Sequence, residues 1–296
     1  MTPMVLVYPG EESLGDSMRS ELPVESVDFE MRRFPDGETY LRIDSNVQGR
    51  QVVILCTLRE PDVKILPLLF MADALRDLGA SRVGLVAPYL AYMRQDRRFN
   101  AGEALTSRSF ARIVSARFDW LITVDPHLHR RNSLSEIYTI RTEVVQAAPL
   151  LAEWIRANVS APVVIGPDAE SEQWVSVVAR AIPCPHIVLK KVRHGDRSVT
   201  VAEVPDIERW GGYTPVLVDD IIASARTMIE SVGHWRTAGQ RAPVCLGVHA
   251  VFASGAYEAL AAAGAARIVT TNSVPHHSNA IDLGPALVPH LLRVLS

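Results

Sequence analysis

The sequence predicts an α/β fold of two similar domains, each built on a mainly parallel sheet flanked by helices. Short β-branched runs alternate with amphipathic stretches along all 296 residues, the pattern of strands that return in one direction through helical crossovers. Many of those runs are continuously apolar rather than alternating, as befits strands covered on both faces. A length near 300 residues suits two domains, each able to bury a core.

The strand candidates in chain order are 4–8 (MVLVY), 51–58, 82–89, 120–125 (WLITVD), 162–168, 186–192, 215–220 (PVLVDD), 244–252 and 266–271. Helical patterns cover 64–79, 106–116, 223–239 and 255–264, and Gly79, Gly239 and Gly264 read as helix stops. FPDGETYLRI (34–43) holds an Asp36-Gly37 turn signal ahead of an alternating strand. FDWLITVDPHLHRRNS (118–133) and AARIVTTNSVPHHSNA (265–280) share a strand, a Pro-His turn and a polar exit. That likeness points to an internal duplication. It divides the chain at about 145–160, into a domain of residues 1–147 and one of residues 148–296.

Composition narrows the function. Hydrophobic residues make up 48%, charged residues 21%, and the formal net charge is −3. This argues against general affinity for nucleic acid or for an anionic membrane surface. Cys56, Cys184 and Cys245 are odd in number and widely spaced, neither a disulfide framework nor a zinc pattern. With no signal-like N-terminus and no bilayer-length apolar run, the expected setting is the cytoplasm. The phosphate-loop, dinucleotide, zinc-protease and nucleophile-elbow signatures are all missing.

In open parallel sheets, ligands bind beyond the carboxyl ends of the strands, so polar residues directly after apolar runs carry the functional argument. VLVDDII (216–222) ends a buried strand on Asp219 and Asp220. Paired acids there suit vicinal sugar hydroxyls or a metal ion. The following turn, Ala223-Ser224-Ala225-Arg226-Thr227, opens a helix whose N-terminus suits a phosphate; helix capping by Asp220 or Ser224 is the plainer alternative. PYLAYMRQDRR (88–98) releases an arginine cluster suited to polyphosphate. His127, and Asp168 in GPDAES (166–171), each follow a strand and together suit a Mg²⁺ shell completed by phosphate and water. In LKKVRHGDRSVTV (189–201), alternation puts Lys191 and Arg193 on one side of a hairpin that could cover an anionic substrate.

In their order and spacing, FPDGE, PYxxYxRQDRR, VDxH, Gly-Pro-Asp, Lys-x-Arg and VLVDDII resemble the ribose-phosphate pyrophosphokinase family. The resemblance runs from about residue 30 to residue 280. It implies two phosphoribosyltransferase-like domains and Mg²⁺-dependent transfer of the diphosphoryl group of ATP to O1 of ribose 5-phosphate. By the same resemblance Phe34, Asp36, Gly37, Glu38, Arg94 and Gln95 bind ATP, His127 and Asp168 hold the metal, and Lys191 and Arg193 are catalytic. Arg193, Asp219, Asp220 and residues Ala223, Ser224, Ala225, Arg226 and Thr227 take ribose 5-phosphate, and the chain is a homo-oligomer.

The last loop departs from the family pattern. Ala223 replaces an acid, and Arg226 stands where a glycine would permit a positive φ. A guanidinium fork at Arg226 would then replace backbone donors to the 5-phosphate. A catalytically silent, regulatory relative is the alternative function.

Overall fold

The computed structural model describes residues 1–98, 100–128, 130–166, 171–191, 202–203 and 207–296; of residues 172, 173, 190, 191, 202 and 203 it describes the backbone alone. The chain divides into two compact units, Met1–Val145 with Asp282–Ser296, and Gln146–Ile281.

In the first unit the elements run β1 (Met4–Val7), α1 (Glu12–Glu21), β2 (Glu25–Ser26), β3 (Phe29–Arg33), β4 (Thr39–Ile43), β5 (Gln51–Leu55), α2 (Pro61–Asp77), β6 (Arg82–Ala87), α3 (Thr106–Ser115), β7 (Trp120–Val124) and β8 (Arg141–Val145). The sheet has the order β2-β1-β5-β6-β7-β8, every pair parallel, and β3–β4 is a separate antiparallel hairpin. The second unit runs α4 (Ala148–Asn158), β9 (Pro162–Gly166), α5 (Glu172–Ala181), β10 (His186–Val188), β11 (Lys190–Lys191), β12 (Ala202–Glu203), β13 (Thr214–Ile222), α6 (Arg226–Thr237), β14 (Val244–Ala250), α7 (Ala256–Ala262), β15 (Arg267–Thr271) and β16 (Asn279–Ile281). Its parallel sheet has the order β10-β9-β13-β14-β15-β16, with β11–β12 as a small antiparallel pair.

The two orders match strand for strand, with a hairpin inserted after the second strand in each unit. The duplication read from 118–133 and 265–280 falls on β7 and β15, the fifth position of each sheet. Continuous burial along β7 and β14 agrees with strands covered on both faces.

Residues 282–296 depart from the expected boundaries. The sequence assigns 148–296 to the second domain, but helix α8 (Gly284–Leu295) belongs to the first unit, where it packs on α1, β7 and β8. Its apolar stripe of Leu287, Leu291 and Val294 is buried, and burial of that stripe decides where the helix lies. Polar contacts then fix it. Glu143 Oε2 accepts from Arg293 Nη2 at 3.0 Å and lies 3.2 Å from His290 Nδ1, and Gln51 Nε2 donates to the Leu295 carbonyl at 3.0 Å. Cys56 and Cys245 are buried, while Cys184 is half-buried.

Close packing in the first sheet depends on one missing side chain. Trp120 on β7 is buried, and its indole fills the space that a Cβ on Gly84 of β6 would enter. Gly84→Ala should therefore cost about 3 kcal/mol through overpacking, read by denaturant unfolding. The double variant with Trp120→Leu should be more stable than Gly84→Ala alone; equal or lower stability would remove the indole as the cause.

Candidate functional site

In each sheet the strand order reverses beside the strand that comes first in the chain, between β1 and β5 and between β9 and β13, which leaves a crevice outside the carboxyl ends. In the second unit β13 carries Asp219 and Asp220 to that edge. Both acids are half-buried, and the Asp220 N–H donates to Asp219 Oδ1 at 3.0 Å. Strand alternation turns the two carboxylates to opposite faces. Gly247, opposite Asp219 on β14, leaves room for Ile222, whose Cγ1 would lie 2.6 Å from a Cβ there.

Beyond Ile222 the chain turns through Ala223, Ser224 and Ala225 into α6. The N-cap of the helix is Ala225, one residue after Ser224, and its methyl side chain makes no capping hydrogen bond. The left-handed residue is Ala225, with φ 55° and ψ 8°, whereas Arg226 is the first helical residue and exposed. The positive φ expected at 226 thus falls one residue earlier, on the smallest side chain able to bear it. Thr227 follows in the first turn, half-buried.

The first unit presents its expected nucleotide residues in three places. The β3–β4 hairpin closes on Phe34–Glu38, where the Phe34 N–H donates to the Glu38 carbonyl at 2.8 Å and the Gly37 N–H to the Phe34 carbonyl at 2.9 Å. The Glu38 N–H donates to Asp36 Oδ1 at 3.2 Å. Phe34, Asp36, Gly37 and Glu38 are all exposed, and the Arg32 guanidinium lies over the Phe34 and Tyr40 rings at 4.9 and 4.1 Å. Beyond β6, Tyr92 takes φ 62° and its hydroxyl bonds Asp62 on α2. Arg94 follows, exposed, and then Gln95, whose Oε1 accepts from Thr106 Oγ1 at 2.9 Å. Beyond β7, Asp125 has φ 33° and His127 is half-buried. β6 and β7 are neighbours, so Arg94, Gln95 and His127 stand along one stretch of the sheet edge.

Four of the five non-glycine residues of positive φ among those described, Glu60, Tyr92, Asp125 and Ala225, lie in loops of this kind. Strain of this sort costs about 1–3 kcal/mol per residue and clusters at working sites. Of the other expected residues, Lys191 lies on β11 with its backbone paired to β12. Its side chain, Arg193 and Asp168 lie outside the described residues.

Comparison with known proteins decides the family. Residues 4–117 match the N-terminal domain of ribose phosphate pyrophosphokinase, and residues 133–285 match the phosphoribosyl transferase domain. The chain is 34% identical to a ribose-phosphate pyrophosphokinase of Methanopyrus kandleri, over 95% of this chain and 96% of that one. It is 31% identical to one of Methanothermobacter thermautotrophicus, over 96% and 98%. The chain belongs to the ribose-phosphate pyrophosphokinase family. In fold it is similar to the phosphoribosylpyrophosphate synthetase of Mycobacterium smegmatis, with a TM-score of 0.85 over 99% of both chains at 24% identity.

For a member of this family the donor set is compatible with Mg²⁺. Among the described residues no three His, Cys, Asp or Glu side chains group as metal ligands. A cation that keeps water and substrate phosphates needs only one or two protein ligands, and of the two expected here His127 is half-buried beyond β7 while Asp168 lies outside the described residues. No described helix is long and apolar enough to cross a membrane.

Sequence reasoning missed a buried charged pair in the first unit, between the segment after β1 and helix α2. Glu11 is only 2% exposed, 3.5 Å from Lys64 Nζ, and Lys64 donates to the Thr57 carbonyl at 2.8 Å. Glu11 Oε2 is buried with no hydrogen-bond partner. Burial outweighs the attraction of Lys64 and a hydrogen bond from the Thr57 backbone, and pushes the Glu11 carboxyl up to about 7. Tyr8, Cys56 and Glu12 complete its surroundings. The signal for this cluster is spatial, because an acid in PGEES and a lysine in PDVKI stand 53 positions apart in chain order (64 − 11 = 53).

A raised carboxyl makes folding take up a proton. The stability it supports is full below about pH 4.5, falls as pH rises, and is lost above about pH 7. Glu11→Gln should match the parent near pH 4.5 and exceed it by roughly 3 kcal/mol at pH 8. Parallel pH–stability curves for the two proteins would contradict this.

Proposed function

We propose that the chain is a Mg²⁺-dependent ribose-phosphate pyrophosphokinase that transfers the diphosphoryl group of ATP to O1 of ribose 5-phosphate. One observation carries the reading: helix α6 opens on Ala225, an N-cap with no side-chain capping bond, and has Arg226 at its first position, shortly after two half-buried acids. Free N–H groups at a helix start favour an anion, and a carboxylate beside them accepts from sugar hydroxyls. A sugar phosphate combines both demands. The full-length match to relatives named for this activity supports the same conclusion.

In this reading Ala223, Ser224, Ala225, Arg226 and Thr227 hold the 5-phosphate while Asp219 and Asp220 hold the ribose hydroxyls. Phe34, Asp36, Gly37, Glu38, Arg94 and Gln95 hold ATP. O1 attacks the β-phosphorus, the bond from that phosphorus to the α-phosphate bridging oxygen breaks, and AMP leaves with the electron pair; the O1 proton passes to solvent. Such transfers need positioning and charge neutralisation more than covalent help. Lys191 and Arg193 offset the charge that develops on the bridging oxygens. His127 and Asp168 would hold Mg²⁺, whose chemistry there is to draw charge from the phosphate oxygens. Buried thiols at Cys56 and Cys245 agree with a cytoplasmic setting.

We also propose that the protein is a homo-oligomer of this chain. Val63, Leu66 and Phe70 form an exposed apolar stripe on α2, and the Val63 carbonyl accepts from Arg33 of the hairpin that bears exposed Phe34. Burying that stripe against a second copy removes it from water. Leu66→Glu should lower the mass in light scattering; an unchanged mass would move the interface elsewhere.

The activity is tested by AMP formation from ATP and Mg²⁺, with and without ribose 5-phosphate. AMP should appear only with the sugar phosphate, and Lys191→Ala should slow it on the order of 10²–10³-fold. Binding of both substrates without AMP would leave the regulatory reading in its place.

A further inference from the structure

We infer that Asp96, Arg130 and Arg131 form a clamp that positions the nucleotide-binding loop, an inference that rests on the proposed binding of ATP by Arg94 and Gln95. The Asp96 side chain is 5% exposed and accepts from Arg130 Nη1 at 3.0 Å. Arg131 Nη2 donates to the Asp96 backbone carbonyl at 3.3 Å. One residue of the β6 exit loop is thus gripped twice, by its carboxylate and by its peptide group, from the exit loop of β7.

The grip is itself anchored. The Arg131 side chain is 9% exposed, and its Nη1 lies 3.6 Å from Glu136 Oε2 in the short helical turn Leu134–Glu136. Glu136 Oε1 in turn accepts from the Asn132 N–H at 2.8 Å. Arg131 Nε is buried with no hydrogen-bond partner. An apolar side chain in that place would avoid the desolvation cost, so packing alone does not account for an arginine.

Gln95, next to Asp96, is held from the other side by Thr106, and its carbonyl accepts from the Ser107 N–H at 3.4 Å. Between the clamp and the start of α3 the peptide around Gln95 has little freedom, while Arg94 stays exposed. The clamp also joins this loop to the one that carries His127. Asp96 and Arg131 act through the loop rather than on substrate in this proposal. They are positioning residues, which lower the ordering cost of binding ATP.

The test uses the full chain with Asp96→Asn, Arg131→Met and Arg131→Lys, each measured for ATP Kd by calorimetry, for the KM of both substrates, and for Tm. Asp96→Asn and Arg131→Met should raise ATP Kd and KM on the order of tenfold, the scale of losing a hydrogen bond to a charged group. The ribose 5-phosphate KM should stay unchanged, and Arg131→Lys should recover part of the loss. Unchanged ATP Kd, or equal rises in both KM values, overturns the clamp. If Arg131→Met does not fold, Asp96→Asn, which keeps the shape of the side chain, decides. A parent chain that binds ATP yet forms no AMP overturns the proposed activity and leaves the clamp to be judged on Kd; one that binds no ATP overturns both.

Discussion

A parallel sheet delivers the carboxyl end of every strand to one edge, and this chain does so twice. Each strand must return through a crossover, so the loops at that edge differ from the buried backbone in one respect: no ladder satisfies their amides and carbonyls. Helix starts, arginines and paired acids gather there because the sheet interior has no place for them. Gln95 after β6 and His127 after β7 follow from that single constraint, while Asp219 and Asp220 stand within β13 near its carboxyl end.

Much of this was legible in the chain. Continuous apolar runs mark the central strands, and a turn of Asp36 and Gly37 ahead of alternating TYLRI marks the hairpin. Other elements left weak signals for physical reasons. β8 reads RTEVV because it lies at a sheet edge with one side toward Glu143's partners Arg293 and His290. α1 reads ESLGDSMRSE, with Leu14, Gly15 and Met18 as its buried positions, too short an apolar face to stand out. The placement of α8 needed knowledge of which sheet lacked a cover, which no local pattern supplies. At the site, residue types after strands were readable, whereas the Glu11–Lys64 pair and the Asp96 clamp depend on contacts between distant segments.

The shared topology makes the differences between the two units informative. α2 after β5 and α6 after β13 hold the same position, and both start from a left-handed, non-glycine N-cap, Glu60 at φ 54° and Ala225 at φ 55°. A backbone feature this costly in both copies belongs to the duplicated unit rather than to either substrate.

What differs is the chemistry presented at the two helix starts. α2 begins with Pro61, which has no N–H to donate, and follows it with Asp62. Glu11 adds a second carboxylate beside that helix, already matched to Lys64. An anion approaching α2 meets fewer donors and like charge. α6 has neither proline nor acid in its first turn, and its first residue is Arg226. A cation at a helix N-terminus opposes the macrodipole and costs about 0.3–1 kcal/mol when nothing lies against it. The same guanidinium becomes favourable once an anion sits between it and the free amides. The two helix starts thus differ in charge: carboxylates stand beside the first, and a guanidinium opens the second. On the proposed reading, that asymmetry suits the sugar phosphate to the second unit and gives Arg226 a role where a glycine would have served the backbone alone.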